Sequence, residues 1–249
     1  MLNLKPWLKT DNVELTSRLM IGTEQYDSAE MIKDVTMAAG AELMIATINP
    51  LDRSSGVPIA DVANAFDRDN YPHIPVSTTS FVHSAVEAVE TARKLREMFD
   101  IKFVKLDVRN DSKQRWANNF EVIAAAKELL ADGFDVMPMI TPDPYAAEML
   151  EDMGCCALRL SAGELGTGVG IYNYQVMKNV KEVVSVPCIG ETGIINATEV
   201  ISLFDIGMDA VLVNSAIAQS SNPIYFAHAM RLAVESAMYQ RAASSGFGE

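Results

Sequence analysis

Eight short apolar runs, each followed by a stretch of helical periodicity, predict a (β/α)8 TIM barrel. The runs start near residues 18, 42, 74, 102, 134, 156, 186 and 210. No linker break or long repeat divides the 249 residues, and 27.2 kDa suits one barrel domain over 1–249. Polar residues also gather just after the runs, where a barrel carries its active site. A doubly wound sheet is the alternative, with an exposed edge.

Residues 1–17 read as a lead-in, a small strand or plug across one barrel end, with Trp7 and Leu8 packed there. Arg18 to Ile21 is the first strand, and Gly22 ends it. Ser28 caps a helix over 29–39 that stops at Gly40. Ala41 to Ala46 is the second strand, followed by the loop NPLDRSSGVP and a short helix over Ile59 to Phe66. Ile74 to Val76 is the third strand. STTS then leads to a helix over 82–98, with Val82, Ala85, Val86, Val89 and Leu95 as its apolar stripe.

Phe103 to Val108 is the fourth strand, and 109–119 a polar loop. Phe120 to Leu130 is a periodic helix ended by Gly133. Phe134 to Met139 is the fifth strand, Ala146 to Met153 a helix closed by Gly154, and Cys156 to Leu160 the sixth strand. A Gly-rich loop covers 161–170 and a helix lies around 173–182. Val186 to Gly190 is the seventh strand, Ala197 to Gly207 contains a helix, and Ala210 to Val213 is the eighth strand. A closing helix spans Ile224 to Ala242, and 244–249 form a flexible tail.

Composition narrows the function. Hydrophobic residues make up 49%, enough for a sizeable core. A formal charge of −13 disfavours nonspecific nucleic-acid binding, which needs clustered Lys and Arg. The three Cys and three His show no CxxC and no HExxH, so neither a disulfide framework nor a metal site is expected. All three Cys read as buried small hydrophobes, and the 14 Met as adaptable core filler. No apolar run approaches the roughly 18 residues a membrane span needs. MLNLKPWLKT is too short and polar for a signal peptide. A cytoplasmic enzyme is the expectation.

Alternation in FVKLDV puts Lys105 and Asp107 on the same side as Phe103, facing the barrel interior. A buried lysine and carboxylate are costly unless they pair or react. Lys105 is thus either a reactive amine that forms an imine with a carbonyl, or half of an ion pair locking strands together. Other polar positions follow the strands. These are Thr47 and Asn49, Ser77 to Ser80, Thr141 and Asp143, Glu164, Glu191, and Asn214 with Ser215. SAGELGTGVGI offers close backbone approach to a phosphate at Gly166, Gly168 and Gly170, or is a purely conformational turn. Glu191 in IGETGI is either a carboxylate near the substrate or a helix N-terminal acid. Gly193, Asn214 and Ser215 occupy the usual barrel phosphate region. Arg18 reads as a structural group at the barrel floor, and no His is assigned a catalytic role.

TSRLMIGTEQY, FVKLDV, ELGTGVGI, VPCIGETGI, DAVLVNSAIA and AMRLAVESA, in that order over about 16–243, resemble bacterial thiazole synthase. The resemblance implies a (β/α)8 barrel that condenses 1-deoxy-D-xylulose 5-phosphate, dehydroglycine and sulfur into thiazole phosphate. Sulfur arrives as the C-terminal thiocarboxylate of a small ubiquitin-like carrier protein. The family's imine-forming lysine maps to Lys105. Its neighbouring glutamate is Asp107 here, and its aspartate is Glu191. The resemblance implies no cofactor, a glycine imine supplied by a partner enzyme, and a homodimer or homotetramer. The chain departs from the pattern in three places. Gly193 is followed by Ile194, Ile195 and Asn196 in place of a glycine pair. TINP stands where an arginine is expected, and VSTTS replaces NTAG. These departures leave three alternatives: a 2-thiosugar phosphate synthase, a Schiff-base lyase or aldolase on another ketose phosphate, and a non-catalytic scaffold or ligand sensor.

Overall fold

The computed structural model describes residues 5–46, 74–110 and 115–244. The expected helix at 59–66, with Thr47, Asn49 and His73, lies outside the described residues. A hairpin of β1 (Leu8–Lys9) and β2 (Glu14–Leu15) opens the chain. Eight parallel strands follow: β3 (Leu19–Met20), β4 (Leu43–Ala46), β5 (Ile74–Thr78), β6 (Phe103–Leu106), β7 (Asp135–Ile140), β8 (Leu158–Ser161), β9 (Cys188–Glu191) and β10 (Ala210–Leu212). The described helices are α1 (Ala29–Ala39), α2 (Ala85–Phe99), α3 (Asn119–Ala131), α4 (Pro144–Asp152), α5 (Tyr174–Val183), α6 (Ala197–Asp205), α7 (Ser215–Ala218) and α8 (Pro223–Ser244).

The strands form one curled sheet in the order β3-β10-β9-β8-β7-β6-β5-β4. Every adjacent pair is parallel. The architecture is α/β, a curled parallel sheet flanked by helices. It differs from the expected closed (β/α)8 barrel at one seam, since no backbone ladder joins β3 to β4 among the described residues. Both strands are short there, so few peptide groups are in position to pair.

Two apolar clusters divide the strands by parity. Val104, Leu106, Leu158, Leu160, Cys188 and Val211 face the helices. Met20, Leu43, Ile45, Val76, Phe103, Met137, Ala157, Ile189 and Ala210 face the enclosed side. Trp7, Leu8, Val13 and Leu15 join this second cluster, so the β1–β2 hairpin packs its apolar residues against the enclosed side of the sheet. Trp7 Nε1 donates to the Ser17 carbonyl at 2.8 Å, and the Thr10 hydroxyl donates to Asp135 at 2.6 Å. These bonds satisfy the hairpin's polar groups while its apolar face is buried.

Helix starts follow side-chain caps. Ser28 accepts from Met31 N, Ser84 from Glu87 N, and Asn196 from Glu199 N. The Ser84 cap moves the start of α2 to Ala85, so Val82 precedes the helix. Its buried face is Ala88, Val89, Ala92 and Leu95, while Val86 points to solvent. Asp143, expected near the site, accepts from Tyr145 N and Ala146 N and caps α4. Among the described residues no helix is long and apolar enough to cross a membrane.

Candidate active site

Four charged side chains meet on the enclosed side of the sheet. β6 carries Lys105 and, one residue past its end, Asp107. β8 carries Arg159, and β9 ends in Glu191. All four are buried. Lys105 Nζ lies 2.7 Å from Asp107 Oδ2. Arg159 lies between the two acids, with NH2 2.5 Å from Asp107 Oδ1 and NH1 2.7 Å from Glu191 Oε2. Its remaining N–H groups donate to the Met137 carbonyl at 3.2 Å and the Leu106 carbonyl at 2.8 Å. The guanidinium thus spans β6 to β9 with a donor aimed at each acceptor, which a compact ammonium cannot do.

Asp107 is anchored on every side. The Ser80 hydroxyl donates to Oδ2 at 2.7 Å, and Thr78 Oγ1 lies 2.6 Å from Ser80 Oγ. The Thr79 hydroxyl donates to the Asp107 carbonyl at 2.7 Å and accepts from its amide at 2.8 Å. The VSTTS segment therefore cradles the carboxylate. Burial alone would raise its pKa. Arg159, Lys105 and Arg109 outweigh that and hold the carboxyl well below the usual range.

This has a consequence for stability. A depressed folded-state pKa contributes stability that is complete above the unfolded value of about 3.9. It is lost as pH falls through the lower folded value. Urea unfolding of Asp107→Asn should therefore show a shallower loss of stability with acid below about pH 4 than the parent. An unchanged slope would assign the acid transition to other carboxylates.

The cluster opens on a cavity of about 880 Å³. Lys105 and Glu191 stand on its wall with Ser80, and Asp107 and Arg159 are not among its lining residues. The turn after β9 shapes one side. Thr192 and Gly193 both take left-handed backbone, φ 62° and 76°. Thr192 is a β-branched residue in a strained region, held because its hydroxyl donates to the Gly163 carbonyl at 2.5 Å and lies 2.9 Å from Ser161 Oγ. A Cβ on Gly193 would sit 2.8 Å from the Gly170 carbonyl oxygen and 2.9 Å from Gly163 Cα, so the two loops pack backbone to backbone.

A lysine and a carboxylate on the wall of a large cavity at the carboxyl ends of parallel strands suit carbonyl chemistry through an imine. The model of a family described as thiazole biosynthesis protein ThiG matches residues 9–247. The chain belongs to that family. Among its relatives is the thiazole synthase of Rhodospirillum rubrum, 37% identical over 223 residues, covering 88% of this chain and 75% of that protein. The thiazole synthase of Myxococcus xanthus is 35% identical, covering 90% and 84%. The crystal structure of the Amycolatopsis orientalis BexX/CysO complex superposes with a TM-score of 0.91 at 36% identity, covering 98% of both chains. A 3-hexulose-6-phosphate synthase, at 14% identity and a TM-score of 0.55 over 87% of this chain and 99% of that one, shares the fold alone.

Against this ThiG family frame, the expected site residues separate into two groups. Lys105, Glu191, Gly166, Gly168, Gly193, Asn214 and Ser215 all line the cavity. Asp107 stands behind Lys105. Gly170 stands behind the wall, where a Cβ would meet the Glu199 carboxylate at 2.8 Å. Glu199 accepts from Ile195 N at 2.6 Å and Ile171 N at 3.1 Å, so it ties the two loops together. The α6 start is capped by Asn196 and Glu199, which removes the cap reading for Glu191. Cys155 and Cys188 are buried, and burial pushes both thiols up to about 12, in keeping with packing rather than nucleophilic roles.

Sequence reasoning missed Arg159, Arg109, Glu24 and Gln25. The last three line the cavity. Arg159 had a readable signal. In CCALRLSAG a lone charge interrupts an apolar run, at the same parity as Ala157 and Ser161. Glu24 accepts from Asn214 Nδ2 at 2.9 Å, and the Gln25 amide donates to Ser215 Oγ at 2.8 Å. Nothing in TEQY marks those contacts, which join residues 190 positions apart.

Proposed function

We propose that the protein is a thiazole synthase in which Lys105 forms an imine with the ketone of 1-deoxy-D-xylulose 5-phosphate. Sulfur enters from the C-terminal thiocarboxylate of a small ubiquitin-like carrier protein, and dehydroglycine from a partner enzyme completes the thiazole phosphate. The observation that carries this reading is Lys105 itself, an amine on the cavity wall in a ThiG-family chain. The BexX neighbour, crystallised with CysO, supports a protein partner. Sodium borohydride reduction with the ketose phosphate, read by intact mass, tests the imine. Transfer from carrier thiocarboxylate tests the sulfur step.

The residues divide the work. Lys105 gives up a proton, adds to the ketone carbon and expels water, leaving an iminium. Removal of the neighbouring C–H proton then gives an enaminol, which tautomerises to a shifted ketone open to sulfur attack. Asp107 is held too acidic and too enclosed to carry that proton, so it positions Lys105. Glu191, on the cavity wall, is the proton carrier. Gly166, Gly168, Gly193, Asn214 and Ser215 hold the phosphate at the far side.

Glu191→Gln keeps an acceptor for Arg159 but cannot take a proton. Its turnover should fall roughly 10²-fold or more, while half-saturation by the ketose phosphate shifts by less than about threefold. A reversed pattern, with binding weakened and turnover kept, would assign Glu191 to binding.

The sheet is proposed to close as a (β/α)8 barrel through side chains at its seam. Thr16 N and Ser17 N donate to Glu42 at 2.7 and 2.9 Å, and the Thr23 hydroxyl donates to the Ile45 carbonyl at 2.8 Å. Exposed Val86, Phe120 and Tyr145 near the starts of successive helices support a homodimer or homotetramer. One observation favours a different ketose phosphate, as in a 2-thiosugar phosphate synthase. The Ile195 amide is bonded to Glu199 and is not offered to a phosphate. Trapping with a panel of ketose phosphates separates the two.

A further inference from the structure

Arg109 follows the catalytic strand and lines the cavity, yet the carboxylate nearest it, Asp107, is already engaged by other donors. Asp107 Oδ2 already accepts from Lys105 and Ser80, both at 2.7 Å, and Oδ1 accepts from Arg159 at 2.5 Å. The Arg109 guanidinium stands off at 3.7 Å from Oδ2, and its Nε is buried with no hydrogen-bond partner among the described residues. Among the described residues, the ion pairs of Lys105, Arg109 and Arg159 go to Asp107 and Glu191, three cations on two acids. The backbone holds Arg109 in place. Its amide donates to the Val82 carbonyl at 3.2 Å, its carbonyl lies 3.0 Å from His83 Nδ1, and it bridges to Ala117.

Arg109 is half-buried, and a guanidinium whose Nε is shut off from water without an acceptor is costly unless something in the cavity offsets it. The direction of the substrate decides which anion that is. β6 and β10 lie four strands apart in the sheet, so Asn214 and Ser215 after β10 stand across the cavity from Arg109. A ketose phosphate bonded to Lys105, with its phosphate beside Ser215, runs away from Arg109. The anion at Arg109 therefore belongs to a second reactant that approaches the imine.

We propose that Arg109 forms a carboxylate subsite at the reacting end of the cavity, receiving a planar carboxylate or thiocarboxylate next to the Lys105 imine. Arginine suits this because its fork pairs two N–H groups with two coplanar oxygens. The inference rests on the imine reading for its orientation, but its ligand can be tested directly. Two sources share the chemistry, a small imino acid and the carboxyl terminus of the carrier.

The test is calorimetric titration of the full chain and of Arg109→Gln with oxamate and, separately, with inorganic phosphate. Oxamate should bind the parent, and Arg109→Gln should weaken it at least tenfold, with phosphate affinity unchanged within twofold. Arg109→Lys keeps the charge and should recover part of the loss. It replaces the glutamine variant if that one fails to fold. Equal oxamate affinity in parent and variant, no oxamate binding by the parent, or a loss confined to phosphate overturns the proposal.

Borohydride trapping separates this from the imine reading. Arg109→Gln should trap the ketose phosphate as the parent does, and loss of trapping in the variant alone would make Arg109 a support for Lys105 and overturn the subsite. A parent that traps nothing while oxamate binding still depends on Arg109 sinks the imine and keeps the subsite. Turnover assays then name the source. A KM raised for glyoxylate with ammonia identifies the small imino acid, and a KM raised for carrier thiocarboxylate identifies the carrier tail.

Discussion

Lys105→Ala should abolish the borohydride-trapped adduct and lower turnover by at least about 10³-fold, while leaving the fold intact. The chemistry depends on one nitrogen, and no other lysine lines the cavity among the described residues. Water or a neighbouring hydroxyl cannot replace an amine as the group that bonds the ketone carbon and then accepts its electrons as an iminium.

The fold should survive for reasons visible in the cluster. Asp107 keeps Arg159 and Ser80 after the lysine is cut back. The remaining cations then balance the remaining acids, since Arg109 and Arg159 face Asp107 and Glu191. The space left by the side chain is continuous with the cavity, so no closed void forms and the cost should stay near 1 kcal/mol. Lys105→Arg completes the experiment. It keeps the charge beside Asp107 but has no amine to form an imine, so it should be as inactive as the alanine variant. An adduct in Lys105→Ala would place the imine on another lysine. An unfolded Lys105→Ala with a folded, inactive Lys105→Arg would show that the charge at 105 is also structural.

Lys105 was legible because strand alternation is a local property. FVKLDV alone states that residue 105 shares a face with Phe103, and the enclosed cluster confirms that face. The same parity was available for Arg159, but its role was not. That role depends on β8 lying between the strands that carry Asp107 and Glu191, a relation set by sheet order over 52 and 32 positions. The four glycines of SAGELGTGVGI look alike in sequence. Gly166 and Gly168 reach the cavity and Gly170 does not, because Glu199 folds back onto the loop from α6. The short apolar runs marked the eight strands, but they could not show whether β3 and β4 pair. β3 has only two residues, too few peptide groups for its pattern to specify a partner.

Arg159→Met should destabilise the protein by about 3–5 kcal/mol, the cost of removing one member of a buried charge network. For a chain of this size that is a fall in Tm of roughly 6–20 °C. The thioether fills much of the volume, so the loss is electrostatic rather than a cavity. Asp107 keeps Lys105 and Ser80, but Glu191 loses the cation at 2.7 Å, and two buried carboxylates then face each other with less positive charge between them. Among the attractions that hold the Asp107 carboxyl low, Arg159 is the largest, so the acid limb of the stability profile should also move to higher pH. Arg159→Lys should recover only part of the loss, because one ammonium cannot reach both acids and both carbonyls. The decisive variant carries Arg159→Met with Glu191→Gln. The neutral amide no longer needs the guanidinium, while Asp107 keeps Lys105, so it should be more stable than Arg159→Met alone. If Arg159→Met instead melts within about 1 kcal/mol of the parent, water reaches the cluster, and its charges are screened rather than buried.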